Sequence, residues 1–235
     1  MRKIRNARNA LVLFAKRPQL GEVKTRLAQE IGDLFAVRFY KAFLEDTISK
    51  MIEFSLTAVK THLFVFFPFS NDDFFQKPHL NKFNLRFQKG EDLGEKLSSA
   101  MRQLLPAYEK VVIIGADSPA LPVAFIQAAF FLLDQNEIVL GPSLDGGYFL
   151  IGMTEPILEV FEDIPWSTSA VFPQTIKKVR SLNLNLGLLP PWYDIDDLDG
   201  LRFLKTHLNT GFSKNLAIAE STKNLFKKLG NVPNS

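Results

Sequence analysis

Short runs of nearly uninterrupted apolar residues recur along this chain, separated by longer amphipathic stretches. Ala10–Ala15 (ALVLFA), Thr61–Phe67 (THLFVFF), Lys110–Gly115 (KVVIIG) and Glu137–Gly141 (EIVLG) are too short for buried helices and lack polar alternation. Strands of this kind are covered on both faces, which is the condition of a parallel sheet. Between them, Leu34–Phe54, Gly94–Tyr108 and Val123–Asp134 carry helical spacing, and Leu93, Leu97, Met101, Leu104 and Leu105 draw one apolar stripe. Gly146–Met153 reads as a further strand, Phe83–Gln88 as a weaker one, and Ser169–Ser181 and Leu198–His207 as further helices. The alternation predicts an α/β fold. No linker or repeat interrupts it, so residues 10–235 are expected to form one domain behind a basic tail at 1–9.

In such sheets ligands bind beyond the carboxyl ends of the strands, so the polar residues following each strand matter most. The charge distribution points to the same places. There are 28 Lys and Arg against 25 Asp and Glu, a net charge of only +3. Yet the first 26 residues hold eight cations against one anion, Glu22, leaving the rest of the chain net acidic. A basic edge on an acidic body does not suit a nucleic-acid coat, and no nucleic-acid partner is expected. The cationic ends, Arg2–Arg8 and Lys223–Lys228, read as solvated.

The absence of cysteine excludes disulfides, thiolate metal sites and cysteine nucleophiles. His62, His79 and His207 are scattered without metal spacing, and neither a G-x-S-x-G elbow nor a G-x-G-x-x-G turn occurs. The apolar run after the basic start is six residues long, too short for a signal h-region, and nothing approaches the roughly 20 residues of a membrane helix. A soluble cytoplasmic protein without a membrane span is the expectation; oligomeric state is not legible.

Four segments can carry chemistry. Phe14–Leu27 (FAKRPQLGEVKTRL) follows a strand, precedes a helix and offers Lys16, Arg17, Lys24 and Arg26 around Gly21, with Thr25 between the last two. Glycine admits close backbone approach, a helix N-terminus favours anions, and the cations supply countercharge, so the loop suits a di- or triphosphate. A solvated basic turn would look the same. Gly115–Pro122 (GADSPALP) places Asp117 at a strand end, stiffened by Pro119 and Pro122. There it can bind Mg²⁺, a hard cation that shares phosphates, or, like Ser118, simply cap a turn.

Gly141–Gly152 (GPSLDGGYFLIG) holds Asp145-Gly146-Gly147 between two apolar runs, a tight-turn signal. Asp145 can also add a carboxylate near a metal or bind sugar hydroxyls. Trp166 in Ile164–Thr168 (IPWST) can stack on a ring or belong to the core, and Ser167 or Thr168 reads as a helix N-cap. Last, Tyr193–Leu201 (YDIDDLDGL) contains Asp194-x-Asp196, a spacing at which carboxylates share a divalent ion. Capping of the following helix accounts for some of these aspartates but need not account for all.

Taken in order, these motifs resemble a bacterial family of glycosyltransferases in the GT-A, nucleotide-diphospho-sugar transferase superfamily. That superfamily also holds phospholactate guanylyltransferase and the molybdenum-cofactor nucleotidyltransferases. The likeness runs from about Ala10 to His207 and implies a Rossmann-like three-layer α/β/α sandwich with a mostly parallel sheet. By position it implies that Ala15, Lys16, Arg17, Gly21, Lys24, Thr25 and Arg26 hold nucleotide phosphates and that Asp117 and Asp196 hold Mg²⁺ or Mn²⁺. It further implies that Asp145 acts at the acceptor, with Lys24 assisting the chemistry, beside Gly146, Gly147 and Trp166. Two departures stand out. An acidic–Arg pair expected after Asp-Leu-Gly is Glu95–Lys96 here, and the central strand ends in one carboxylate rather than Asp-x-Asp. The implied activity is a metal-dependent transferase using a nucleotide-activated donor, an NDP-sugar first. The alternatives are a nucleotidyltransferase releasing pyrophosphate and a non-catalytic nucleotide-binding protein.

Overall fold

The computed structural model describes residues 9–57, 60–68, 74, 78–210 and 219–229. Residues 1–8 of the expected basic tail lie outside them, while Asn9 already opens the first strand.

Among the described residues seven strands form one sheet: β1 (Asn9–Phe14), β2 (Thr61–Phe67), β3 (Phe83–Phe87), β4 (Lys110–Gly115), β5 (Ile138–Pro142), β6 (Tyr148–Met153) and β7 (Leu186–Leu188). Their order is β3-β2-β1-β4-β6-β5-β7, and every neighbouring pair is parallel except those made by β6, which is antiparallel to both β4 and β5. The reversal follows from the Asp-Gly-Gly turn, which joins β5 directly to β6 and so presents residues 143–147 at the end where the parallel strands finish.

Among the described residues there are seven α-helices: α1 (Thr25–Ile31), α2 (Asp33–Thr57), α3 (Leu93–Leu104), α4 (Val123–Leu132), α5 (Val171–Ser181), α6 (Leu198–Asn209) and α7 (Glu220–Leu229). Side chains alternate across each strand, so β1 sends Leu11 and Leu13 to one face and Ala10 and Val12 to the other. The first face packs under α2 and α4 through Tyr40, Leu44, Ile48, Ile126 and Phe130. The second packs under α3 and α5 through Leu97, Met101, Leu104 and Val179. The result is the three-layer α/β/α arrangement.

Helix α2 is apolar on two sides because it is covered on two sides. Tyr40 and Leu44 face the sheet, while Phe39 and Phe43 join Leu27, Leu201, Leu204 and Phe226 in an outer cluster with α1, α6 and α7. Helix α7 corrects the solvated-end reading of Lys223–Lys228. Thr222 and Phe226 are buried, and the buried Asp46 carboxylate of α2 accepts from the Ser221 and Thr222 amides at 2.7 and 3.0 Å and from the Thr222 hydroxyl at 2.6 Å. No described helix is long and apolar enough to cross a membrane.

Candidate active site

The carboxyl ends of β1 and β4, the β5–β6 turn and the segment before α6 meet around one cleft. It has two lobes, of about 920 and 730 Å³, which share Lys16, Tyr40, Gly115, Asp117, Tyr148 and Trp166 among their walls.

The segment Trp192–Leu198 assembles this rim through backbone hydrogen bonds. The Leu144 amide donates to the Trp192 carbonyl at 3.1 Å and the Trp192 amide to the Pro142 carbonyl at 3.0 Å, fastening the segment to the β5–β6 turn. The Ile195 amide donates to the Asp117 carbonyl at 2.9 Å, and the Ser118 hydroxyl donates to the Tyr193 carbonyl at 3.0 Å. The Leu27 amide donates to the Asp196 carbonyl at 3.0 Å, and the Leu198 amide to the Glu30 carboxylate at 3.0 Å, adding α1. Backbone groups withdrawn from water must find partners, and here the partners come from three places: the β5–β6 turn, the segment after β4, and α1.

Two electrostatic groupings result. In the first, the Lys24 ammonium forms ion pairs with Asp117 and with Asp196, the latter at 2.7 Å. Burial alone would lower the Lys24 ammonium's pKa, but the two carboxylates outweigh it and hold it above the usual lysine value. In the second, one oxygen from each of Asp145, Asp194 and Asp196 lies within 4.8 Å of the others. Partial burial and the neighbouring Asp145 and Asp196 carboxylates push Asp194 up to about 7. Asp196 belongs to both groupings.

The Asp145 carboxylate is exposed and oriented: its Oδ1 accepts from the Ser143 hydroxyl at 2.5 Å and the Gly147 amide at 2.8 Å. Of the clustered late aspartates, Asp197 is the cap, its Oδ1 accepting from the Gly200 amide of α6 at 2.8 Å, and Asp199 pairs with Arg202 at 3.2 Å. Asp194 and Asp196 are thereby left for the cleft.

The other expected residues divide by position. Lys16, Thr25 and Arg26 are exposed on the wall of the first lobe; Ala15, Lys16 and Arg17 line the second. Gly21 lies in neither wall. Its φ of 74° and open surroundings mark a turn glycine. Gly147 lines the first lobe, whereas Gly146 does not. Gly146 has a φ of 92°, a Cβ there would collide with the Ser169 backbone, and its carbonyl accepts from the Phe172 amide at 2.8 Å. It pins the turn to the start of α5. Trp166 lines both lobes, half-buried, its indole lying against Gly94 at the start of α3.

The N-cap reading of Ser167 and Thr168 needs correction. Helix α5 begins at Val171 with Ala170 at the cap, Thr168 accepts from the Ala170 amide at 3.2 Å, and Ser167 sits on the cleft wall with a φ of 64°. Tyr40 escaped sequence reasoning altogether. Its buried hydroxyl accepts from the Lys16 amide at 2.7 Å, and burial with the Asp117 charge nearby keeps the phenol protonated. At helical spacing among apolar neighbours, nothing distinguishes it from a core tyrosine.

The fold is that of the nucleotide-diphospho-sugar transferases. The chain superposes on the crystal structure of a protein from Desulfovibrio desulfuricans G20 described as a "putative nucleotide-diphospho-sugar transferase", with a TM-score of 0.81 and 27% identity over 95% of this chain and 96% of that one. It shares the fold, at a TM-score of 0.54 and 8% identity over 86% and 98% of the chains, with CMP:2-keto-3-deoxy-manno-octonic acid synthetase complexed with CTP. Rv0371c from Mycobacterium tuberculosis H37Rv, in complex with manganese, gives a TM-score of 0.50 and 14% identity over 84% and 97%. The model of a family described as an uncharacterized protein conserved in bacteria (DUF2064) matches residues 53–168. No curated protein sequence matches the chain.

Proposed function

We propose that the protein is a divalent-cation-dependent transferase acting on a nucleotide-activated donor, and that it transfers a glycosyl group from an NDP-sugar. One observation carries this reading: the exposed cations Lys16 and Arg26 and the carboxylates Asp145, Asp194 and Asp196 line one lobe of the cleft, together with Asp117 and the Lys24 it pairs with. The description of the Desulfovibrio protein supports the transferase reading, the CTP complex supports a nucleotide ligand, and the manganese complex supports a divalent cation.

The donor set fits the cation. Asp145, Asp194 and Asp196 offer hard oxygens at a separation one ion can span; burial and the crowding of Asp145 and Asp196 raise Asp194, and nearby Lys24 offsets only part of that rise. Mg²⁺ or Mn²⁺, when bound, supplies positive charge to the departing diphosphate. Lys16, Thr25 and Arg26 line the lobe where that diphosphate is held, and Ala15 and Arg17 continue the wall toward the nucleoside. Tyr40 fixes the Lys16 backbone, so the loop need not be ordered at the moment of binding. Asp145, held by Ser143 and Gly147, takes the proton of the acceptor hydroxyl as that oxygen bonds to the sugar carbon and the bond to the diphosphate breaks. Trp166 walls the acceptor side.

A second reading, nucleotidyl transfer, is favoured by the single carboxylate at the end of β4 together with the late pair Asp194 and Asp196. The acceptor then attacks the α-phosphorus of an NTP and pyrophosphate leaves. The product decides: with Mg²⁺ and a panel of NTPs and NDP-sugars, free NDP supports glycosyl transfer and pyrophosphate supports nucleotidyl transfer. A ligand at 100 times its Kd adds roughly 2.7 kcal/mol of stability, so a thermal-shift panel with and without cation identifies the donor first. Binding with neither product marks a non-catalytic protein of this fold, and no shift with any nucleotide overturns the proposal.

A further inference from the structure

We propose that Lys24 is an exchangeable internal counter-cation: it occupies Asp196, one of the carboxylates that a divalent cation uses, and it turns into the cleft when that cation binds. The inference rests on the metal-dependent reading above.

Lys24 differs from its neighbours in the loop. Lys16, Thr25 and Arg26 are exposed, yet the Lys24 side chain is only 3% exposed and points inward to Asp117 and Asp196, whose side chains are 50% and 39% exposed. Its backbone is left-handed, with φ 51° and ψ 45°, an unfavourable setting for a residue with a Cβ. It stands at the cap position of α1, where no side-chain cap forms. The surrounding structure therefore holds Lys24 in this inward pose. A lysine serving only a phosphate has no use for it.

Asp196 makes the exchange necessary. It pairs with Lys24 and also contributes to the carboxylate trio with Asp145 and Asp194. An ammonium and a divalent ion on one carboxylate lie within a few ångströms of each other, and their repulsion is strong where solvent is partly excluded. Lys24 and the cation thus compete for Asp196. Once displaced, the ammonium lies on the lobe it already lines with Thr25 and Arg26, beside the bound diphosphate. Cation binding in this way moves one positive charge from the carboxylates to the phosphates, and the two ligands bind cooperatively.

The experiment measures Mn²⁺ alone binding to the nucleotide-free protein, by the electron paramagnetic resonance of free Mn²⁺, in wild type and in Lys24→Met. Removing the competing charge is expected to tighten Mn²⁺ binding by roughly tenfold or more. In parallel, amine acetylation of the wild type, read by mass spectrometry, is expected to modify Lys24 several-fold faster with Mn²⁺ than without. This second arm stands even if the variant does not fold. If Mn²⁺ binds wild type and variant equally, or more weakly to the variant, or if Lys24 labelling does not respond to bound Mn²⁺, the exchange is overturned while the metal-dependent reading survives. If neither protein binds Mn²⁺, with or without nucleotide, both fall.

Discussion

The phenol oxygen of Tyr40, in the first third of α2, lies 2.7 Å from the backbone nitrogen of Lys16, the residue after Ala15. A core helix thus sets the path of the loop proposed to hold phosphates. Tyr40→Phe keeps the ring and leaves the Lys16 amide without this partner. The expected cost is about 1–2 kcal/mol in denaturant unfolding, with weaker nucleotide binding by calorimetry. Unchanged nucleotide affinity would detach Tyr40 from the site.

Two glycines with positive φ separate conformational strain from collision. Gly21→Ala meets open space, so only the left-handed backbone matters and about 1 kcal/mol is expected. Gly146→Ala adds a clash with the Ser169 backbone and is expected to cost at least about 2–3 kcal/mol. Chemical denaturation of the pair checks the ordering; equal losses would contradict the pinned turn.

The late aspartates separate by role. Asp196→Asn is expected to abolish any Mn²⁺-dependent rise in Tm, because it removes the carboxylate common to both groupings. Asp197→Ala is expected to lower Tm in all conditions, by the ~1 kcal/mol of a lost helix cap, with the Mn²⁺ response intact. Thermal shifts with and without Mn²⁺ read both variants.

Lys50 gives the fold a pH dependence. It is buried in α2 with its ammonium donating to the Pro119 carbonyl at 2.8 Å, and burial lowers its pKa to about 7, against the pull of Asp46 and Glu53. Between about pH 7 and the ordinary lysine value of 10.5 the unfolded chain holds the proton and the folded one does not. Stability from this group therefore rises with pH across that window, and below about pH 7 its full penalty is present. The difference in unfolding free energy between wild type and Lys50→Met, followed from pH 6 to 10, is expected to show this slope. A flat difference would show that Lys50 stays charged in the fold.

Asp46→Ala removes the acceptor of two α7 amides and one hydroxyl. Hydrogen exchange in residues 220–229 is expected to quicken by roughly tenfold or more, corresponding to the 1–3 kcal/mol of a buried charged acceptor, while β1 and β4 stay protected.

Much of this architecture is legible in the sequence, for reasons particular residues make plain. Central strands β1 and β4 are buried on both faces, so ALVLFA and KVVIIG announce themselves; three-residue β7 has Leu188 exposed at an edge and gives no such signal. Helix α7 is Lys-rich outside and needs only Thr222 and Phe226 inside, too thin a stripe to separate from a charged tail. The rim was visible as segments following strands, yet the contact of Lys24 with Asp117 and Asp196 spans distances along the chain that no spacing rule covers. The division of the late aspartates into caps and cleft residues likewise depends on how one irregular segment threads between loops. Trp166 illustrates the remaining ambiguity: it is at once packed on Gly94 and part of the cleft wall.

That threading also has a consequence in time. The loop proposed to hold phosphates directly follows β1, and β1, β2 and β4 can pair before the later elements are made. Asp194, Asp196 and the backbone partners that draw the loops together are made only after all of β1 to β7. A chain still being made therefore carries its cationic loop without the late aspartates, and the rim of the cleft is completed only when residues 192–198 are available.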